Sequence, residues 1–153
     1  MMKNLLLPDE SATQAFAQTL AAQPAIAQAF ITLRGDLGAG KTTLVRHLLR
    51  ALGVHGRIKS PSYTVVETYE LPAFQAWHLD FFRFTDPQEW ADAGLRDIFA
   101  SQGLKLVEWP EKAGPSLPLA DLDIQLQVLP DGIRRVNLHA RTAIGAALLQ
   151  VVE

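Results

Sequence analysis

Cysteine is absent from the 153-residue chain, which excludes disulfides, thiolate metal sites and a cysteine nucleophile. Nothing in it approaches the run of about 18 apolar residues that a membrane-spanning helix needs. The apolar part of the opening stretch Met1–Glu10 is too short for a signal peptide. Repeats, low-complexity tracts and a basic tail are also missing. So is an excess of charge: 14 Lys and Arg stand against 16 Asp and Glu, for a net charge of −2. That balance argues against nucleic-acid binding by charge alone, although Arg46, Arg50, Arg57 and Lys59 form a small basic group. What remains is an ordinary globular composition, 48% hydrophobic and 20% charged, long enough for one domain over residues 1–153 with a real core.

The chain is organised around Leu33–Leu52. Gly35, four residues, then Gly40, Lys41 and Thr42 satisfy the phosphate-loop pattern G-x-x-x-x-G-K-[ST]. Phe30, Ile31 and Leu33 read as a buried strand before it. Leu44, Val45, Leu48, Leu49 and Leu52 recur at helical spacing after it, and Gly53 stops the helix. The glycines let successive N–H groups turn into one concavity, and the helix start adds its unpaired donors and positive dipole end. Lys41 is placed for the β- and γ-phosphates, Thr42 for Mg²⁺ and Thr43 for a further phosphate contact. The Asn-Lys-x-Asp device that reads guanine is missing, which favours ATP.

Around this centre the patterns predict an edge strand at Lys3–Leu7 and a helix at Asp9–Ala22. That helix is capped by Asp9 or by a Ser11–Gln14 box, with Phe16 and Leu20 buried. Strands at Tyr63–Glu70 and Ala76–Phe82 form a hairpin after a loop carrying Ser60, Ser62 and Thr64. Short helices follow at Pro87–Ala93 and Leu95–Ala100, and Lys112–Pro118 reads as a linker. Leu122–Val128 and Val136–Ala140 alternate apolar and polar residues as a second hairpin with one wet face. A last helix runs from Thr142 through Val152 with Ile144, Leu148 and Val151 inward. The predicted fold is an α/β three-layer phosphate-loop domain. Its mixed central sheet is parallel near the loop, with antiparallel hairpins at 63–82 and 122–140.

Two predicted strands end in acids. Asp80 sits where the apolar run of Ala76–Phe82 gives out, and Glu108 ends the apolar run from Leu104 in the manner of a Walker B strand. Either acid can face Mg²⁺ or the attacking water; spacing alone does not divide the roles. Trp109 is a rim contact for nucleotide or a partner, or a packing residue. Arg83 and Arg96 read as surface arginines, and no arginine finger is identifiable. The histidines lack metal-ligand spacing, and His78 and His139 read as strand residues rather than catalysts.

The stretches G-D-L-G-A-G-K-T-T (35–43), K-S-P-S-Y-T (59–64), H-L-D-F-F-R (78–83), D-P-Q-E (86–89), G-L-R-D (94–97) and L-V-E-W-P-E (106–111) occur in the order found in the TsaE (YjeE) family, which the chain resembles over roughly residues 9 to 111. The resemblance implies a bacterial, cytoplasmic ATPase of the tRNA threonylcarbamoyladenosine (t6A) pathway. It further implies ATP or ADP and Mg²⁺ as cofactors, and the TsaB–TsaD transferase as protein partner. Contact with tRNA would be indirect, through that complex, and no membrane is involved. Carried over by position, Thr42 and Glu108 resemble the Mg²⁺ ligands, and Lys41 with the backbone of Gly38, Ala39, Gly40, Thr42 and Thr43 resembles the phosphate cradle. Gly35, Asp36 and Leu37 complete the loop. Asp80 resembles the catalytic or water-positioning acid, and Trp109 a residue near the active edge. Ser60–Thr64 resembles a switch-like segment, and Thr13 lies in a stretch near the nucleotide base. Ser62 and the Phe81-Phe82 pair depart from the family's more usual threonine and Leu/Tyr.

Overall fold

In the computed structural model, which describes residues 1–152, the apolar runs become strands of one seven-stranded sheet. The elements are β1 (Met2–Leu7), α1 (Glu10–Ala21), β2 (Phe30–Arg34), α2 (Lys41–Ala51), β3 (Val66–Glu70), β4 (Gln75–Asp80), α3 (Glu89–Asp92), α4 (Arg96–Ala100), β5 (Leu104–Glu108), β6 (Leu122–Val128), β7 (Arg134–Ala140) and α5 (Ala143–Leu149). Short 3-10 segments occupy Pro24–Gln28 and Pro110–Ser116, the second overlapping the predicted linker. The strand order is β1-β7-β6-β2-β5-β4-β3. β2 runs parallel to β5 and β6, and β4 parallel to β5. β3, β7 and β1 are antiparallel to their neighbours. This is the mixed α/β sheet that the sequence predicts, with a hairpin on each side of the parallel strands.

Burial explains the layering. Ile31, Leu33, Leu104, Leu106 and Ile124 share a core with Phe16 and Leu20 of α1 and Leu44 and Leu48 of α2. Phe30, Trp77, Leu79 and Val107 pack on the opposite face against Trp90 of α3, Leu95, Ala113 and Ala120. β5 is buried along its whole length, as a parallel strand covered on both faces must be. β6 and β7 instead alternate, because one of their faces is only partly covered.

Several boundaries shift for local reasons. Asp9, not the Ser11 box, caps α1: the Ala12 N–H donates to Asp9 Oδ1 at 2.8 Å. β3 starts at Val66 rather than Tyr63, because the Val65 N–H closes a turn onto the Pro61 carbonyl at 2.8 Å. β4 ends at Asp80, after which the Phe81 N–H crosses to the Glu108 carbonyl at 3.1 Å. α5 stops at Leu149, since the Lys3 ammonium caps the Leu149 and Val152 carbonyls at 2.9 and 2.7 Å. Val152 therefore turns inward and Val151 is exposed, contrary to the prediction for Val151, whereas Ile144 and Leu148 face the core as predicted.

α5 lies so close to the start of β6 that a Cβ on Gly145 would sit 1.8 Å from the Asp121 carbonyl oxygen. Gly145→Ala is expected to lower the unfolding free energy by about 1–3 kcal/mol, the scale of core overpacking, measured by urea denaturation. An unchanged midpoint would mean that α5 has room to step away.

Candidate functional site

The turn from β2 into α2 sets the centre of the site. Gly35 must be glycine: its φ is +147°, and a Cβ would meet the Leu126 carbonyl at 2.5 Å. Gly40 caps α2 in the left-handed region with the Arg134 side chain against it. The loop between them places the free N–H groups of the helix start at the carboxyl end of β2. Lys41, on the first turn of α2, is only 4% exposed. Its ammonium donates to the Gly35 carbonyl, donates to the Asp36 carbonyl at 3.1 Å, and lies 4.2 Å from the centroid of the Trp109 ring. Burial lowers the Lys41 pKa from the usual lysine range, and the carboxylates of Glu108, Glu111 and Asp80 work against that shift.

The two acids arrive together because β4 and β5 are parallel and in register, with Asp80 beside Glu108. Glu108 is 2% exposed. The Thr42 hydroxyl lies 2.9 Å from its Oε1 and 3.0 Å from its Oε2. His78 Nε2 lies 2.5 Å from Oε2. Asp80 accepts the Phe82 N–H at 2.9 Å. Burial pushes the Asp80 carboxyl above the usual carboxylate range; the Phe82 amide opposes that and neighbouring Glu108 adds to it. Among the described residues no group of three or more His, Cys, Asp or Glu side chains forms a ready metal site. A hydroxyl and a carboxylate side by side still fit Mg²⁺. This hard ion takes one or two protein oxygens and completes its shell with phosphate and water.

These side chains open on a cavity of about 460 Å³ bounded by Leu37–Thr43, Asp80, Glu108 and Trp109 and, at its rim, Ser62, Tyr63, Phe82, Arg83 and Arg134. Trp109 packs on Phe82 at 5.0 Å between ring centroids, as its packing alternative predicts, and also lines the cavity.

A profile described as Threonylcarbamoyl adenosine biosynthesis protein TsaE matches residues 7–136. The chain belongs to the TsaE family. A Haemophilus influenzae protein named tRNA threonylcarbamoyladenosine biosynthesis protein TsaE is 40% identical over 119 residues, covering 78% of this chain and 75% of that protein. The Bacillus subtilis protein of the same name is 36% identical over 115 residues, covering 75% and 70%. A crystal structure of YdiB from Bacillus subtilis superposes with a TM-score of 0.80 at 28% identity, covering 98% of this chain and 93% of that one.

Within this TsaE-family chain the predicted site residues fall around three hollows. Lys41, Thr42, Asp80, Glu108 and Trp109 share the main cavity with Gly38, Ala39, Gly40 and Thr43. Thr13 lies beside Gly40 and Thr43 in a separate recess of about 80 Å³ behind the loop. Gly35 and Asp36 border instead a third hollow, of about 510 Å³, shared with Leu37, Gln125 and Gln127. Arg134 is a residue that sequence reasoning left unassigned: its Nε donates to the Ala39 carbonyl at 2.7 Å and its Nη2 to the Gly38 carbonyl at 3.4 Å. Only the P-D-G turn before β7 hints at it, and a turn says nothing of what it faces. Arg83 reaches the cavity rim, its guanidinium carbon 4.2 Å from the Tyr63 ring centroid, whereas Arg96 lies over Trp90. His78 is on a strand as predicted, but its imidazole belongs to the polar cluster at Glu108.

The raised Asp80 pKa fixes the sign of a pH effect. A carboxyl that resists ionisation in the fold favours folding below its unfolded pKa, near 4, and that contribution is lost as pH rises through its folded value. Asp80→Asn is therefore expected to melt at a higher temperature than the parent chain at pH 7 to 8, with the gap closing toward about pH 4. Melting curves that stay equally spaced over that range would count against a destabilised carboxylate.

Proposed function

We propose that this chain is a Mg²⁺-dependent ATPase that supports formation of t6A at A37 of tRNAs reading ANN codons. It acts with a TsaB–TsaD transferase in the cytoplasm and touches tRNA only through that complex. The contact of the Thr42 hydroxyl with the Glu108 carboxylate, beside a buried Lys41, carries the reading. It puts the phosphate-loop hydroxyl and a strand-end acid on one spot, as nucleotide–metal sites of this kind require.

In this reading the backbone N–H groups of residues 35–43 cradle the β- and γ-phosphates, and the Lys41 ammonium leaves its own loop carbonyls for phosphate oxygens. Thr42 and Glu108 would hold Mg²⁺, which when bound neutralises charge on the phosphates. Asp80, buried next to Glu108 and fixed by the Phe82 amide, orients the attacking water. Trp109 screens one wall of the site, Thr13 lies toward the nucleotide base, and Arg134 braces the loop from behind. With charge stabilisation left to Lys41 and the metal, turnover by the isolated chain is slow and rises when the TsaB–TsaD partner completes the site.

Calorimetry is expected to show Mg-ATP uptake by the parent chain. Lys41→Ala and Glu108→Ala should each cut partner-stimulated ATP turnover by about 100-fold or more, the scale for removing a charge-stabilising group. They should also abolish t6A formation in a reconstituted TsaB–TsaD reaction. Full t6A formation by both variants, despite lost turnover, would reject a hydrolytic role.

A further inference from the structure

His78 has no part in the chemistry above, yet it is the most deeply buried member of the cluster. It stands two residues before Asp80 on β4, 0% exposed, with Nε2 at 2.5 Å from Glu108 Oε2. Its Nδ1 is buried with no hydrogen-bond partner among the described residues. That asymmetry fixes the tautomer. A proton on Nδ1 would bury an unpaired N–H, at the full desolvation cost of a donor, whereas a bare lone pair costs less. The geometry therefore favours a proton on Nε2, donated to the carboxylate.

Glu108 has two holders, Thr42 and His78. They are not equivalent. Thr42 is itself one of the residues that would hold the metal, so it cannot serve as an independent anchor. We propose that His78 is the positioning residue of the metal-binding edge: its Nε2–H pins Oε2 of Glu108 and so fixes the orientation of the carboxylate that would hold the divalent cation. The role suits the strand geometry, because His78 and Asp80 lie on one face of β4 and the parallel register brings Glu108 of β5 alongside. The same face thus carries the proposed water-orienting acid and the holder of the proposed metal acid. Outer partners of this kind set the orientation of a ligand without touching the metal.

The inference rests on the nucleotide–Mg²⁺ reading, and its test separates the two. ADP binding to the full chain is measured by calorimetry in EDTA and across a Mg²⁺ series for the parent, H78Q, H78N and H78L. Glutamine carries an amide N–H at the reach of imidazole Nε2, and asparagine only at the reach of Nδ1. H78N and H78L are expected to need roughly 10- to 100-fold more Mg²⁺ for half-maximal enhancement of binding, while H78Q stays within about threefold of the parent. Affinity in EDTA should change little in any of them. Equal Mg²⁺ responses of H78N and H78Q overturn the inference, as does an equal loss of affinity in EDTA, which would mark His78 as structural only. The Asn–Gln contrast decides the matter even where H78L fails to fold. A parent chain that takes up no nucleotide with or without Mg²⁺ removes the functional reading itself. A parent that responds to Mg²⁺ and an H78N that matches it removes this inference alone.

Discussion

The site depends on one contact made across 66 residues of chain, the Thr42 hydroxyl on the Glu108 carboxylate. Thr42 sits in the first turn of α2, and Glu108 is the last residue of β5. They meet only because β5 lies next to β2 in parallel, with Leu33 in register with Glu108. The helix that follows β2 then starts over the end of β5. An antiparallel β5, or one placed elsewhere in the order, would carry the acid to the wrong end of the sheet. Burying that carboxylate is costly unless its oxygens are occupied, and Thr42 and His78 occupy them. Sheet order, acid placement and polar satisfaction are thus one constraint rather than three.

Two departures from ordinary backbone geometry flank the same acids. Trp109, directly after Glu108, has φ +58°, and Val65, whose carbonyl accepts the Asp80 N–H at 2.9 Å, has φ +70°. Left-handed backbone is uncommon for a large side chain and rarer for a β-branched one, and costs on the order of 1–3 kcal/mol at each position. Each is held by its surroundings. Trp109 donates its N–H to the Leu33 carbonyl at 3.3 Å and packs its tilted ring on Phe82, and Val65 is fixed by the turn onto Pro61. The consequence is local: the chain turns away immediately after Glu108, so the acid is the last ladder residue and the indole folds back over Lys41.

Legibility followed the range of the interaction. The phosphate loop, the strand before it and the helix after it were readable because glycine placement and 3.6-residue spacing are local signals. The two acids were readable as strand ends, and the parallel register that joins them agreed with the α/β expectation. His78 and Arg134 were not readable as site residues, because their significance comes from what lies across the sheet. One meets Glu108 from 30 residues away and the other meets Ala39 from 95. The errors at element ends have the same origin. Nothing near Val151 in sequence announces that Lys3 will cap the last helix from the opposite end of the chain. Nothing in the strand-like composition of Tyr63–Glu70 reveals that Val65 is spent on a turn.

The electrostatics of the cluster give the arrangement a direction. Lys41 and Asp80 are both pushed by burial toward their neutral forms, one down and one up. A site whose members resist their own charges is unfavourable while it faces only itself. Lys41 shows this most plainly, since its ammonium is turned back onto the carbonyls of its own loop. On the proposed reading a polyphosphate and its cation supply what the protein lacks: oxygens for Lys41, a positive neighbour for Asp80 and Glu108, and anionic charge at the start of α2. Each of these terms favours the ionised side chains, so binding draws on electrostatic penalties built in during folding and stabilises the folded chain by linkage. The same argument separates structure from chemistry within the cluster. The His78–Glu108 hydrogen bond is in place without a ligand, whereas Lys41 and Asp80 keep their burial penalty until something charged arrives.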